Sequence, residues 1–108
     1  MRRGDIVTVA MPGVYGKPRP AVVIQSDNLG ETDSVLVCLV TSTIRDASLY
    51  RLDLPADQKT GLRAPSQIMV DKIMAVRRAK CSAPIGKIEP ASNQMLNGFL
   101  AVVLGIAD

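Results

Sequence analysis

The chain has 108 residues and a mass of 11.5 kDa, with thirteen basic residues against ten acidic ones, a formal charge of +3 and no histidine. This length suits one domain with a buried core, and 47% apolar with 21% charged residues excludes a disordered chain. The missing histidine excludes a His-based triad, a Cys–His nucleophile pair and a His metal site, so any chemistry must come from Arg, Lys, Asp, Glu, Ser, Thr or Tyr.

In chain order, Asp5 to Met11 is apolar and β-branched and is predicted as a strand, which Pro12 and Gly13 stop. A loop from Pro12 to Pro18 leads into a second strand, Arg19 to Gln25. Pro18 and Pro20 flank Arg19 and restrict it to extended or polyproline backbone. Asp27 to Asp33 reads as a polar turn region. Ser34 to Thr41 is the most continuous apolar run and suits a central strand covered on both faces. After a turn at Arg45 to Ser48, Leu49 to Leu54 alternates in the manner of a half-exposed strand. Pro55 to Ala64 is a second polar loop. Ser66 to Val70 and Lys72 to Arg77 read as two short strands, and Ala83 to Ile88 as an edge segment.

The period then changes. Met95, Leu96, Phe99, Val102, Val103 and Ile106 recur at helical spacing, with Pro90 at the first helical position and Gly105 as the stop. Gly98 inside this helix predicts close packing, since glycine there costs about 1 kcal/mol against alanine. The expected architecture is mainly β, mostly antiparallel, closed by one C-terminal helix.

Cys38 lies in an apolar run and Cys81 in a loop, with no framework spacing, which fits free thiols in a reducing cytosol. The uncharged stretch Pro90 to Ala107 is broken by Ser92, Asn93, Gln94, Asn97 and Gly98, so no membrane span is expected. Met1 to Asp5 runs straight into a strand-like segment, so no signal peptide is expected either, and the cytoplasm is the expected location. Gly13 and Gly16 lack the Lys-Ser/Thr ending of a phosphate loop. No cofactor or metal is expected.

From Arg63 to Lys87 six basic residues (Arg63, Lys72, Arg77, Arg78, Lys80, Lys87) stand against one acid, Asp71. Such a surplus favours a polyanion as readily as it makes a solvated basic face. Arg19 begins one apolar strand, and Thr41, Ser42 and Thr43 end another. A strand-end guanidinium can hold a phosphate at two points, and a threonine hydroxyl can donate to a phosphate oxygen. Each alone has an ordinary reading too, as an edge arginine paired to an acid or hydroxyls that cap a turn.

Four segments taken together resemble the MazF/PemK family of toxin endoribonucleases: Arg3 to Val7, Gly16 to Ile24 with its Arg19-Pro20 pair, Val40 to Ser42, and Leu62 to Lys72. The resemblance runs on into the C-terminal helix and covers nearly the whole chain. It implies an SH3-like small barrel with a C-terminal helix, a homodimer, and metal-independent cleavage of single-stranded RNA, usually mRNA. The reaction it implies is attack of a ribose 2′-hydroxyl on the adjacent phosphate, leaving a cyclic phosphate and a 5′-hydroxyl end. On the matching positions, Arg19 is the general acid or charge stabiliser and Thr41 positions the phosphate. Lys17, Tyr15, Ser42, Arg63, Ser66 and Gln67 are the substrate-binding candidates, and Asp5 and Asp71 the acid/base candidates. The resemblance further implies a short, acidic, partly disordered antitoxin as partner.

The chain departs from the family pattern in three places. Its first loop is the short Val14 to Lys17, Ser66 precedes Gln67 where several members have Asp, and Met69 stands where an arginine often follows. These departures keep a non-catalytic binding barrel as an alternative. Gln25 to Asp27 and Leu104 to Ile106 are also similar to segments of the gyrase-poisoning CcdB toxins, which share the implied fold but need an aromatic residue where this chain has Leu104.

Overall fold

Six short strands rich in Val, Ile and Leu form one antiparallel sheet: β1 (Asp5–Val9), β2 (Arg19–Val23), β3 (Ser34–Thr41), β4 (Arg51–Leu54), β5 (Ser66–Arg77) and β6 (Gly86–Lys87), in the spatial order β4-β5-β3-β2-β1-β6. Among the described residues, short 3-10 turns cover Asp27–Leu29 and Arg78–Lys80, and one helix, α1 (Pro90–Val103), follows the last strand. The structure, a computed structural model, describes residues 1–11, 17–47 and 49–108. The strand-then-helix expectation holds, with the strand at Asp5 ending at Val9, that at Arg19 ending at Val23 and that at Leu49 starting at Arg51.

The two strands expected between Ser66 and Arg77 are one. β5 pairs with β3 from Ser34↔Arg77 to Cys38↔Ile73, then resumes at Val40↔Ile68 and Thr41↔Gln67. Met69 to Lys72 are thus set against Leu39 alone, a bulge that bends β5 and takes the charged pair Asp71 and Lys72 out to solvent. The lower half of β5 is then free to carry β4 as well, through Arg51↔Met69 to Leu54↔Ser66. This bend curls the sheet into a half-barrel. β4 and β6 remain edges, so the barrel does not close through its ladder.

The curl buries both faces. On the inner face Ile6, Val22, Cys38, Val40, Ile68 and Val70 pack with Leu96 and Leu100 of α1. On the outer face Val7, Val9, Ala21, Val23, Val35, Val37 and Val76 form a second cluster. That double burial explains why β3 does not alternate from Val37 to Val40, as expected for a strand covered on both sides. At Leu36, which is exposed, the expectation fails.

The helix begins with Pro90 at its first position, where no backbone donor is needed. It ends at Gly105 (φ +74°), where Ile106 N–H donates to the Ala101 carbonyl (2.8 Å) and Gly105 N–H to that of Val102 (3.1 Å). This is a Schellman closure with glycine in the left-handed conformation. The inward stripe is Leu96, Phe99, Leu100 and Val103, one helical face at i, i+3, i+4 and i+7. The expected stripe is set off to one side: it lacks Leu100 and includes Met95, Val102 and Ile106, which are exposed. Close packing at Gly98 is likewise overturned, because a Cβ there would meet no atom within 4 Å.

Two other glycines do sit under compression. The 55–64 loop is tied internally: Thr60 Oγ1 donates to the Pro55 carbonyl (2.8 Å), and Asp57 Oδ1 accepts from the amides of Lys59 and Thr60 (each 2.9 Å). It lies directly on the 85–87 backbone, where Lys87 N–H donates to the Lys59 carbonyl (2.9 Å). A Cβ on Gly61 (φ +70°) would collide with the Ile85 carbonyl, and one on Gly86 with the backbone of Thr60.

The glycines therefore predict opposite signs. Gly98→Ala stabilises by about 1 kcal/mol, as expected for an open helix position. Gly86→Ala destabilises by about 1–3 kcal/mol or more, because the obstacle is backbone that cannot yield. Urea midpoints at unchanged m-value read both, and a lowered midpoint for Gly98→Ala would contradict the open position.

Candidate functional site

Antiparallel pairing brings the ends of β2 and β3 together. Register runs through Ala21↔Leu39, so two residues further on Arg19 and Thr41 stand at corresponding strand ends with the same pleat orientation. Both line an open cleft of about 750 Å³. Its other walls come from Lys17, Ser42, Thr43, the loop residues Leu62 and Arg63, and Thr8 of β1. Three cations and a row of hydroxyls thus converge, and no carboxylate occurs among the described lining residues.

The cations come from separate stretches of chain. Arg19 is exposed, paired across β1 with Val9 and kept extended between two prolines. Lys17 precedes it and is exposed. Arg63 reaches the cleft from the far wall, because the 55–64 loop is seated on Gly86. Of the six basic residues between Arg63 and Lys87, only Arg63 is in the cleft. Lys72 pairs with Asp71 in the bulge (3.1 Å), Lys87 is on β6, and Arg77, Arg78 and Lys80 lie at the opposite end of β5. The local charge surplus is therefore spread over the surface, and the cleft's charge is assembled from other positions.

Thr41 ends the β3–β5 ladder, and its Oγ1 accepts from the Thr43 amide (3.1 Å). The hydroxyl proton of Thr41 is left to donate outward. Ser42 and Thr43 are exposed on the same turn. Ser66 is buried at the cleft floor and donates to the Ala64 carbonyl (2.8 Å).

Other sequence candidates are elsewhere. Gln67 is buried and does not line the cleft; its amide bonds to Arg45, Arg51 and Asp53. Asp5 accepts from the Arg2 amide (2.8 Å) at the far end of β1 from Val9, a run of roughly 13 Å along the strand. Asp71 points to solvent on the bulge of β5. The fold thus gathers Arg19, Thr41, Lys17, Ser42, Arg63 and Ser66, and leaves Gln67, Asp5 and Asp71 outside. Tyr15 lies outside the described residues. Thr43 joins Thr41 and Ser42 as the strand-end hydroxyls the sequence points to, whereas Thr8 and Leu62 are not among its candidates; a lone hydroxyl in the apolar β1 is the available signal for Thr8.

Neither cysteine is at the cleft. Burial pushes the Cys38 thiol up to about 11, so it stays protonated. Burial also raises Cys81, with Arg78 partly offsetting it.

Residues 2–104 match the family of PemK-like, MazF-like toxins of type II toxin–antitoxin systems. The chain is 40% identical over 108 residues to the probable endoribonuclease MazF of Mycolicibacterium smegmatis, covering 99% of each. Its fold is similar to the Mycobacterium tuberculosis toxin MazF-mt6 (TM-score 0.80, 18% identity, 94% of this chain and 96% of that one). It is similar as well to MazF in the MazE–MazF complex of Deinococcus radiodurans (TM-score 0.79, 22% identity, 97% and 96%). A third similar structure is a mycobacterial endoribonuclease solved with its cognate antitoxin (TM-score 0.77, 20% identity, 98% and 96%). The chain belongs to the PemK-like, MazF-like family of type II toxins.

Proposed function

We propose that the chain is the endoribonuclease toxin of a toxin–antitoxin module and cuts single-stranded RNA in the cleft between Arg19, Thr41 and Arg63. The observation that carries this reading is the meeting of three cations and several hydroxyls, without a carboxylate among the described lining residues, in a full-length relative of a probable endoribonuclease. A cleft of that composition attracts anions, and a phosphodiester is one that its cations and hydroxyls can hold together.

In the proposed reaction the 2′-oxygen forms a bond to phosphorus while the bond from phosphorus to the 5′-oxygen breaks. The 2′-proton leaves to solvent, and the departing 5′-oxygen takes a proton from solvent. Arg19 remains a cation throughout, since guanidinium does not release its proton in proteins. Its role is therefore to hold the phosphate and offset the charge that builds on the phosphorane. Thr41 donates its free hydroxyl proton to a phosphate oxygen. Lys17, Ser42 and Arg63 hold the flanking backbone, and Ser66 supports the cleft floor. Neither Asp5 nor Asp71 lines the cleft, so no side chain is assigned the part of the base.

A homodimer and an acidic antitoxin complete the reading, the antitoxin covering the cationic cleft. Light scattering checks both: the free chain gives about twice 11.5 kDa, and the mass rises again when its antitoxin is added. A free mass of 11.5 kDa at micromolar concentration contradicts the dimer.

Cleavage of a long single-stranded RNA tests the activity. Cutting persists in EDTA, and Arg19→Ala lowers kcat by about 10²-fold or more, in line with loss of one transition-state donor. Because the chain has no histidine, the pH–rate profile rises without a bend near 6.5. Intact RNA together with gyrase inhibition would overturn the reading. Salt gives a second check: three phosphate contacts give a slope of log K against log salt of about −2, and Arg63→Ala reduces its magnitude by about 0.7. An unchanged slope would take Arg63 out of the RNA path.

A further inference from the structure

Beyond Thr41 the backbone ladder of β3 stops. The turn that follows carries Ser42 and Thr43 into the cleft, and it is held by side chains. Thr43 N–H donates to Thr41 Oγ1 (3.1 Å), and the Thr43 carbonyl accepts from Arg51 Nη1 (3.2 Å). Arg45 N–H donates to Gln67 Oε1 (3.0 Å), and the Arg45 carbonyl accepts from Gln67 Nε2 (3.0 Å). Gln67 thus treats Arg45 as a neighbouring strand would, with one donor and one acceptor on the same residue.

The amide has a fixed orientation. Arg51 Nη1 donates to Oε1 (3.1 Å), while Asp53 Oδ1 accepts from Nε2 (2.9 Å). Arg51 and Asp53 are two residues apart on β4, and Asp53 is paired with Gln67. A flipped amide would face its donor to the guanidinium and its acceptor to the carboxylate, so the two opposite charges of β4 set the amide and the amide sets the turn. Gln67 is 4% exposed, so water cannot replace a lost partner without cost.

On the proposed ribonuclease reading, we infer that Gln67 is a positioning residue for Thr41: through Arg45 it fixes the turn whose Thr43 amide holds Thr41 Oγ1, which leaves the Thr41 proton aimed into the cleft. Gln67 touches no substrate. Its charged neighbours Arg51 and Asp53 serve the same clamp.

The test uses the full chain, an RNA oligonucleotide spanning a mapped cleavage site, and hydrogen exchange. At a temperature where circular dichroism shows each variant folded, Gln67→Glu lowers kcat by about tenfold or more with KM within about twofold, because a misplaced group costs chiefly the reacting geometry. In Gln67→Glu the carboxylate faces Asp53. Adding Asp53→Asn returns a donor there and recovers at least about threefold of the lost kcat. Exchange gives the reading that activity does not: the Arg45 amide exchanges at least about tenfold faster in Gln67→Met, while the amides of Val35 to Cys38 keep their protection.

A folded Gln67→Glu with unaltered kcat, or one altered in KM alone, overturns the inference. So does accelerated exchange along all of β3, which would mark a merely structural residue. If Gln67→Glu does not fold, Asp53→Ala at an exposed position carries the test, and unchanged Arg45 exchange there overturns it. If the wild-type chain leaves RNA intact, the ribonuclease reading falls, and Arg45 exchange alone decides whether the clamp exists.

Discussion

The bulge in β5 is the constraint on which the rest of the molecule depends. Setting Met69 to Lys72 against Leu39 gives a twelve-residue strand two directions. Its upper half continues the sheet beside β3, and its lower half turns to carry β4. Without that bend Leu52 and Leu54 would not reach the inner core beside Leu96 and Leu100, and the sheet would have one open face. Past the bend the β3–β5 ladder resumes and runs out at Thr41↔Gln67, which is where the cleft starts. The segment of β5 that carries β4 into the core is thus the one that ends at the site.

Charge at the cleft follows from how the ends of elements are arranged, not from a run of basic sequence. Lys17 and Arg19 arrive on the approach to β2, and Arg63 on a loop that crosses β6. The richest basic stretch, Arg77 to Lys80, is at the other end of the molecule. With the described wall free of carboxylates, the three cations have no internal partner there to neutralise them. An always-charged guanidinium among hydroxyls suits electrostatic stabilisation of a phosphorane far better than proton shuttling.

Local patterns in the sequence gave strand and helix positions readily because they rest on near neighbours: β3 at Ser34 to Thr41, Pro90 at the helix start and Gly105 at its stop. Quantities set by distant partners were not legible. Asp71 reads as a strand break between Val70 and Lys72, since solvated charge looks alike at a bulge and at a loop. The helix stripe was misplaced because Met95, Val102 and Ile106 are apolar but unburied here, and only the sheet determines which side Leu100 faces. At the cleft, the places of Arg19 and Thr41 are legible from their strand-end positions and the family motif. Gln67 was legible as a site-associated residue but not as an inward-facing one, because its role depends on Arg51 and Asp53 being two residues apart on another strand.

The two walls of the cleft are fixed by different physics. The Arg63 wall is fixed by backbone pressed on backbone at Gly61 and Gly86, where even one methyl group does not fit. The Thr41 wall is fixed by a buried amide between two opposite charges. Steric contact of the first kind tolerates no substitution but is indifferent to charge and salt. An amide clamp is directional, so it specifies one position for the turn while contributing little net stability. On the proposed ribonuclease reading, a phosphodiester seated between these walls meets side chains carried on backbone that is already held in place. The attraction is then spent on the phosphate and not on ordering the protein, which is the condition under which a few exposed charges can favour a transition state.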